Sequence, residues 1–369
     1  MKISIVLGTR PEIIKFSPII RECERLGLDY FILHTGQHYS YNMDRVFFEQ
    51  LELPEAQYNL DVGSGSHGEQ TGKMLIGIEK VLKQEKPDIV LVEGDTNSTL
   101  AGALAAVKLH IKVGHVEAGL RSYDRQMPEE INRVLADHCS DLLFAPTEKS
   151  KRILLGEGVS EDRVFVTGNT VVDAVYQNLE IAERKVDVLN SIGLEEHGFF
   201  LVTVHRQENV DSEERFRGIL KGLELVKERF MLPVVYPVHP RAKKQMKTFS
   251  LNPKGLTLIE PLDYLSFLRL EGKARLVLTD SGGVQEETCV LKVPCVTLRY
   301  NTERPETLEV GSNTLAGTDP QVILEKTDLM LRKEPSWDNP FGDGEAGKKI
   351  TDITRSVISQ KDDMGKITR

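Results

Sequence analysis

Short apolar runs alternate with helical patterns along almost the whole chain, and this alternation is what most limits the fold. The first runs fall at residues 3–7, 30–33, 88–92, 113–116, 142–145 and 164–166. A second series follows at 199–204, 234–236, 256–259, 276–278 and 296–298. Strands that are apolar on both faces and separated by helices imply a parallel sheet covered on both sides. The predicted fold class is therefore α/β, with two Rossmann-like, doubly wound domains whose strand C-termini face a central cleft where ligands bind. The length of 369 residues agrees, since it exceeds one ordinary core. The hinge is placed near residues 168–173, and the polar stretch 180–198 is expected to add little core.

Composition narrows the partners. The formal charge of -9 and the lack of a long basic run argue against nucleic acid. No apolar stretch approaches the roughly 20 residues of a membrane helix. The N-terminal apolar run meets Gly-Thr-Arg-Pro at 8–11, so it reads as a first strand, not a signal peptide. Cys23, Cys139, Cys289 and Cys295 form no C-x-x-C pair, which predicts reduced thiols and a cytoplasmic protein.

The most informative motif is Thr-Asp-Ser-Gly-Gly-Val-Gln-Glu-Glu at 279–287. It joins a buried strand to a helix. A helix opening at Ser281-Gly282-Gly283 presents bare N–H groups and a positive dipole end, a seat for a phosphate. Glu286 and Glu287 lie one turn inside, which points to a nucleotide.

Other strand ends carry charged groups. Arg10 and Lys15 follow the first strand and could reach an anion; the plainer reading is a strand–helix turn with two solvated cations. Asp95 and Glu117 end further strands, where a carboxylate is costly to bury unless paired or functional. Glu129 and Glu130 follow Pro128 at a helix start, a position acidic residues prefer anyway. Crowded carboxylates split their pKa values and so provide an acid and a base. His205 and Arg206 end the first strand of the second half, and His239 ends the next. A histidine at such a lip beside an arginine suits function, although a loop histidine is the plainer account of His239. Gly-Ser-Gly-Ser-His-Gly at 63–68 does not open a tight strand–helix turn, so it is not a dinucleotide fingerprint. His115-x-Glu117 lacks the Pro-Cys-x-x-Cys partner of a zinc deaminase, and Ser281 lacks the G-x-S-x-G elbow of a hydrolase.

In order, Gly-Thr-Arg-Pro-Glu at 8–12, Gly-Asp-Thr at 94–96, His-Val-Glu-Ala-Gly-Leu-Arg at 115–121, Pro-Glu-Glu-x-Asn-Arg at 128–133 and His-Arg-x-Glu-Asn at 205–209 form a distinctive set. It continues through 279–287, Thr-Glu-Arg-Pro-Glu at 302–306 and Asn-Pro-Phe-Gly-Asp-Gly at 339–344. This set resembles the non-hydrolysing UDP-N-acetylglucosamine 2-epimerases, a family similar in fold to two-domain (GT-B-like) glycosyltransferases. The resemblance implies a first domain of 1–170 plus 347–369 with the catalytic carboxylates, and a second of 171–346 that binds UDP. It implies that Asp95, Glu117, Glu129 and His205 are catalytic. Arg10, Lys15, His205 and Arg304 would hold the diphosphate and reacting end, Ser281, Gly282 and Gly283 the phosphate, and Glu287 the ribose. Phe267 and the backbone near Leu262 would hold uracil. No cofactor and no metal are implied, and a homodimer is. Which carboxylate is acid and which base stays open. Bacterial members bind a second UDP-GlcNAc through a Gln-His-Arg segment and an Arg-Gln pair. Here Gln37-His38-Tyr39 and Glu69-Gln70 lack those cations, leaving Gln37, His38, Gln70, Arg206 and His239 for a modified second site.

The activity implied is reversible conversion of UDP-GlcNAc to UDP-ManNAc through loss of UDP to a glycal. Three alternatives stand beside it: a nucleotide-sugar glycosyltransferase, an epimerase that hydrolyses to free ManNAc and UDP, and a catalytically silent nucleotide-sugar sensor.

Overall fold

A computed structural model describes residues 1–36 and 41–367. The chain divides into two compact units, Met1–Tyr176 with Phe341–Arg369, and Gln177–Pro340.

The first unit holds a seven-stranded sheet in the order β3-β2-β1-β4-β5-β6-β7. Its strands are β1 Lys2–Leu7, β2 Asp29–His34, β3 Tyr58–Asn59, β4 Ile89–Glu93, β5 Lys112–Val116, β6 Leu142–Ala145 and β7 Val164–Val166. The second unit holds a six-stranded sheet, β10-β9-β8-β11-β12-β13. Here the strands are β8 Phe200–Thr203, β9 Val234–Pro237, β10 Thr257–Ile259, β11 Leu276–Thr279, β12 Cys295–Thr297 and β13 Asn313–Leu315. Every pair is parallel. The α/β expectation holds, and each sheet reverses strand order once, at β1/β4 and at β8/β11.

Side-chain alternation explains the unbroken apolar runs. Phe200 and Val202 enter one core cluster with Leu276 and Leu278, while Phe199, Leu201 and Val277 enter another on the opposite face. Where both faces are covered, as along β8 and β11, most positions are apolar. Two strands went unforeseen, β3 and β13. They are two and three residues long, are at sheet edges, and have no apolar run. The stretch 180–198 departs from expectation. Val188 is buried in the second unit's core, with Val186, Leu189, Ile192 and Leu194 packed against it. Apolar residues scattered among charges still make one face when a short helix, Val188–Ser191, gathers them.

The terminal helix Ala346–Ile367 packs on the helix Arg10–Leu26. A Cβ at Gly347 would come within 3.0 Å of the Pro18 backbone, so only glycine permits this approach. Asp173 caps the terminal helix, accepting from the N–H groups of Ala346 at 3.2 Å and Gly347 at 2.8 Å. Asn169 N–H donates to the Phe341 carbonyl at 2.7 Å. Among the described residues, no helix is long and apolar enough to cross a membrane.

The Asp173 carboxyl is pushed up to about 6, because burial outweighs the two N–H donors. A raised carboxyl pKa means the fold holds a proton that the unfolded chain releases. That stability is complete below the unfolded value and is lost as pH rises toward the folded one. Relative to Asp173→Asn, the parent should lose up to about 3 kcal/mol between about pH 4 and about pH 6, and the two should run parallel above that. Urea denaturation of both proteins across this range checks the difference.

Candidate active site

In open α/β sheets ligands bind beyond the strand C-termini where strand order reverses. The charged motifs collect at these two places. In the first unit, Glu12 links the ends of β1 and β4. Its carboxylate accepts from Gly8 N–H and the Thr9 hydroxyl, both at 2.9 Å, and from the hydroxyls of Thr96 at 2.7 Å and Thr99 at 3.3 Å. Glu12 is 1% exposed, and burial raises its pKa despite these donors.

One turn along the same helix, Lys15 contacts the Glu117 carboxylate and lies 3.2 Å from Glu93 Oε1. Asn169 Nδ2 donates to the same Glu117 oxygen at 3.4 Å. Glu117 has φ +66°, a left-handed conformation costly for a residue with a Cβ. His115 braces this turn from below. Its Nδ1 is 2.7 Å from Asp137 Oδ1 and its Nε2 is 2.8 Å from the Gly94 carbonyl. Asp137 also takes Gly119 N–H at 3.2 Å and Arg121 Nη1 at 2.7 Å. Burial alone would raise the Asp137 pKa; His115 and Arg121 outweigh it, so the group is lowered.

Asp95 and Glu129 line one pocket of about 340 Å³ together with His67, Gln70 and Asn132. Asp95 is ion-paired to Arg133, and its carbonyl accepts from Asn132 Nδ2 at 3.0 Å. The neighbouring glutamates diverge. Glu129 is exposed at the pocket. Glu130 is buried and structural, accepting from Ser122 N–H and hydroxyl at 2.9 Å, Tyr123 N–H at 3.0 Å and Arg133 at 2.9 Å. Gln70 belongs to this pocket, where it bonds Asn97 and the Gly63 carbonyl, both at 2.8 Å. Arg10 stacks over Phe47, 5.7 Å from the ring centre. Gln37 and His38 lie outside the described residues.

In the second unit, Asp280 links the ends of β8 and β11. It is fully buried and accepts from His205 N–H at 3.1 Å, Arg206 N–H at 3.0 Å and Asn209 Nδ2 at 3.1 Å. His205 Nδ1 is 3.1 Å from Asp280 Oδ1, which fixes the ring with Nε2 directed away. Burial would raise the Asp280 pKa, but His205 and the N–H donors outweigh it and the group is lowered. His205, His239, Leu262, Phe267 and Ser281 line a second pocket of about 270 Å³. The two histidine rings are 5.8 Å apart, and His239 is kept below its usual pKa by burial and by His205.

Ser281 caps the helix Gly282–Val290 without a side-chain hydrogen bond. A Cβ on Gly282 or Gly283 would meet nothing closer than 3.8 Å, and neither has positive φ. The fold therefore does not require glycine at either position. Glycine keeps the helix N–H groups bare to whatever approaches from outside. Glu287 accepts from Tyr264 OH at 3.1 Å, and Arg304 pairs with buried Glu286 at 2.7 Å. Arg206 lies 3.5 Å from Glu303, which Arg299 also grips; despite burial, these arginines hold Glu303 down at about 2.

The sequence left Glu12, Glu93 and Asp280 without roles. Thr9-x-x-Glu12 has capping-box spacing, and Asp280 directly precedes Ser281 at the helix start, so two of the three carried a signal.

The sequence profile of the UDP-N-acetylglucosamine 2-epimerase family matches residues 21–355. The chain is 57% identical over 361 residues to UDP-N-acetylglucosamine 2-epimerase of Methanocaldococcus jannaschii, covering 96% of this chain and 98% of that one. A crystal structure of the Methanocaldococcus jannaschii UDP-GlcNAc 2-epimerase in complex with UDP-GlcNAc and UDP is similar at a TM-score of 0.88 and 56% identity, covering 96% of this chain and 100% of the other. The UDP-GlcNAc 2-epimerase from Neisseria meningitidis, bound to UDP-GlcNAc, reaches the same TM-score at 35% identity, over 96% of this chain and 100% of its own. With matches of this identity and coverage, the chain belongs to the UDP-N-acetylglucosamine 2-epimerase family.

Proposed function

We propose that this protein is a non-hydrolysing UDP-GlcNAc 2-epimerase that interconverts UDP-GlcNAc and UDP-ManNAc. The observation that carries this is the bare helix end at Gly282 and Gly283 beside an Asp280-oriented His205. Relatives crystallised with UDP-GlcNAc and UDP support the ligand.

C2 of the sugar has no adjacent carbonyl, so its proton is not removed by enolisation. In the proposed route a carboxylate takes the C2 proton. The C–H electron pair forms the C1–C2 double bond, and UDP leaves C1 with the other pair. Re-addition of UDP with proton delivery to the opposite face gives the epimer. Asp95, Glu117 and Glu129 are the candidate proton carriers. His205, Arg10, Lys15 and Arg304 are the candidates for the developing diphosphate charge, with the helix N–H groups strengthening as it grows. The division of labour is that the first unit supplies acid–base groups and the second seats UDP, with Phe267 and Leu262 on uracil and Glu287 on ribose. Cytoplasmic location and a homodimer extend the same proposal from the family resemblance.

Incubation with UDP-GlcNAc in D2O should place one deuterium at C2 and yield UDP-ManNAc. Free ManNAc as the main product would overturn the non-hydrolysing assignment, and sugar transfer without exchange at C2 would replace epimerisation altogether. Glu117→Gln should lower exchange by roughly 100-fold or more while UDP affinity, measured by calorimetry, changes by less than about 3-fold. Gly283→Ala should leave the melting temperature unchanged or raised, as expected of glycine to alanine in a helix. It should nevertheless weaken UDP binding by about tenfold or more; unchanged affinity would remove the phosphate from that helix end.

A further inference from the structure

Glu271 has no part in the proposed reaction, yet it stands directly behind a residue that does. It lies on the helix Tyr264–Lys273, beside the helix Gly282–Val290 that carries Glu287. A Cβ on Gly272, the next residue, would be 3.6 Å from Leu291 at the end of that second helix. Glu271 is fully buried, and among the described residues neither of its carboxyl oxygens has a hydrogen-bond donor. What faces it within hydrogen-bond reach is the Glu287 carboxyl group. Glu287 is better placed: it is 8% exposed and accepts from Tyr264 OH at 3.1 Å. Val284, one turn earlier on the same helix, lines the second unit's pocket with Ser281 and Phe267.

We infer that Glu271 is a positioning residue for the nucleotide, a protonated carboxyl that donates a hydrogen bond to Glu287 and fixes the oxygens that meet the ribose. This rests on the assignment of Glu287 to ribose proposed above. Two ionised carboxylates in contact offer each other only acceptors, and they repel. One proton turns that contact into an O–H···O⁻ hydrogen bond, one of the strong kinds. The proton belongs on Glu271, which has no donor to support a charge. The ionisable groups it meets are Glu287, the Tyr264 phenol and the Cys295 thiol at the start of β12, none of them a cation. Burial raises the Glu271 pKa well above the usual glutamate value, and Glu287 pushes it further up. Burial and Glu287 likewise raise the Tyr264 pKa, so the phenol stays a donor. Tyr264 and Glu271 are two turns apart on one helix and so share a face. Their two hydroxyls hold Glu287 from the same side and set its orientation. A neutral acid still costs more to bury than an apolar side chain unless its hydroxyl is used, and Glu287 is the acceptor within reach.

The preference for UDP over 2′-deoxy- or 3′-deoxy-UDP, measured by calorimetry, tests this. Glu271→Leu removes the donor and should cut that preference by about tenfold, with the deoxy nucleotides bound within about 3-fold of the parent affinity. Glu271→Gln keeps a donor that does not ionise, and it should hold the preference within about 3-fold of the parent. Damage to packing would instead weaken all three nucleotides alike. Parent preference in the leucine variant, uniform weakening of all three nucleotides, or an equal loss of preference in both variants overturns the inference. Carboxyl-carbon NMR of the unmodified protein provides a test that needs no variant to fold. The assigned Glu271 signal should be that of a protonated acid at about pH 7, and an ionised Glu271 there would refute the role. Glu287→Gln keeps the two ideas apart. If that variant retains the parent preference, the assignment of Glu287 to ribose fails. If it loses the preference while Glu271→Leu keeps it, only the Glu271 inference fails.

Discussion

A buried carboxylate tying together two strand ends is the interaction on which each half of this protein depends. Glu12 spans the gap between β1 and β4 in the first unit, and Asp280 spans the gap between β8 and β11 in the second. At these points consecutive connections leave the sheet in opposite directions, so no helix covers the strand ends and their polar backbone is left open. A carboxylate with several acceptor sites satisfies donors from both strands at once. It holds the helix start that leads to Lys15 and the turn that carries Asp95 in one case, and the segments that carry His205 and Ser281 in the other.

The two carboxylates differ electrostatically. Asp280 has a histidine ring and two backbone N–H groups, so its charge persists in the interior and it orients His205. Glu12 has hydroxyl and backbone N–H donors but no histidine ring, and burial prevails. Near Glu12, the Lys15 ammonium lies beside both Glu93 and Glu117. In the second unit Arg206 and Arg299 lie against Glu303 and Arg304 against Glu286. In the first unit Glu117 is left-handed, beside the His115–Asp137 brace on the flanking backbone.

Much of this was legible in the residues. Among the described residues, eleven of the thirteen strands announce themselves as apolar runs, most of them because a strand covered on both faces favours apolar side chains. The edge strands Tyr58–Asn59 and Asn313–Leu315 are too short for a period to develop. The core contribution of 186–194 was hidden because its apolar residues fall on one face only in a helix. Glu129 and Glu130 are indistinguishable by type and spacing; the chain's return through Ser122 and Tyr123 separates the structural glutamate from the pocket one.

The sequence by itself determined the α/β class, the parallel sheets, the family and the strand ends at which charged groups gather. These follow from local pattern, which burial on two faces and helix-start chemistry impose residue by residue. Only the tertiary structure decided who pairs with whom. It gave Lys15 to both Glu93 and Glu117, Asp95 to Arg133, His205 to Asp280 and Arg304 to Glu286. Most of those pairings join residues tens of positions apart, and their strength depends on distance and on the exclusion of water, neither of which is written in the local sequence.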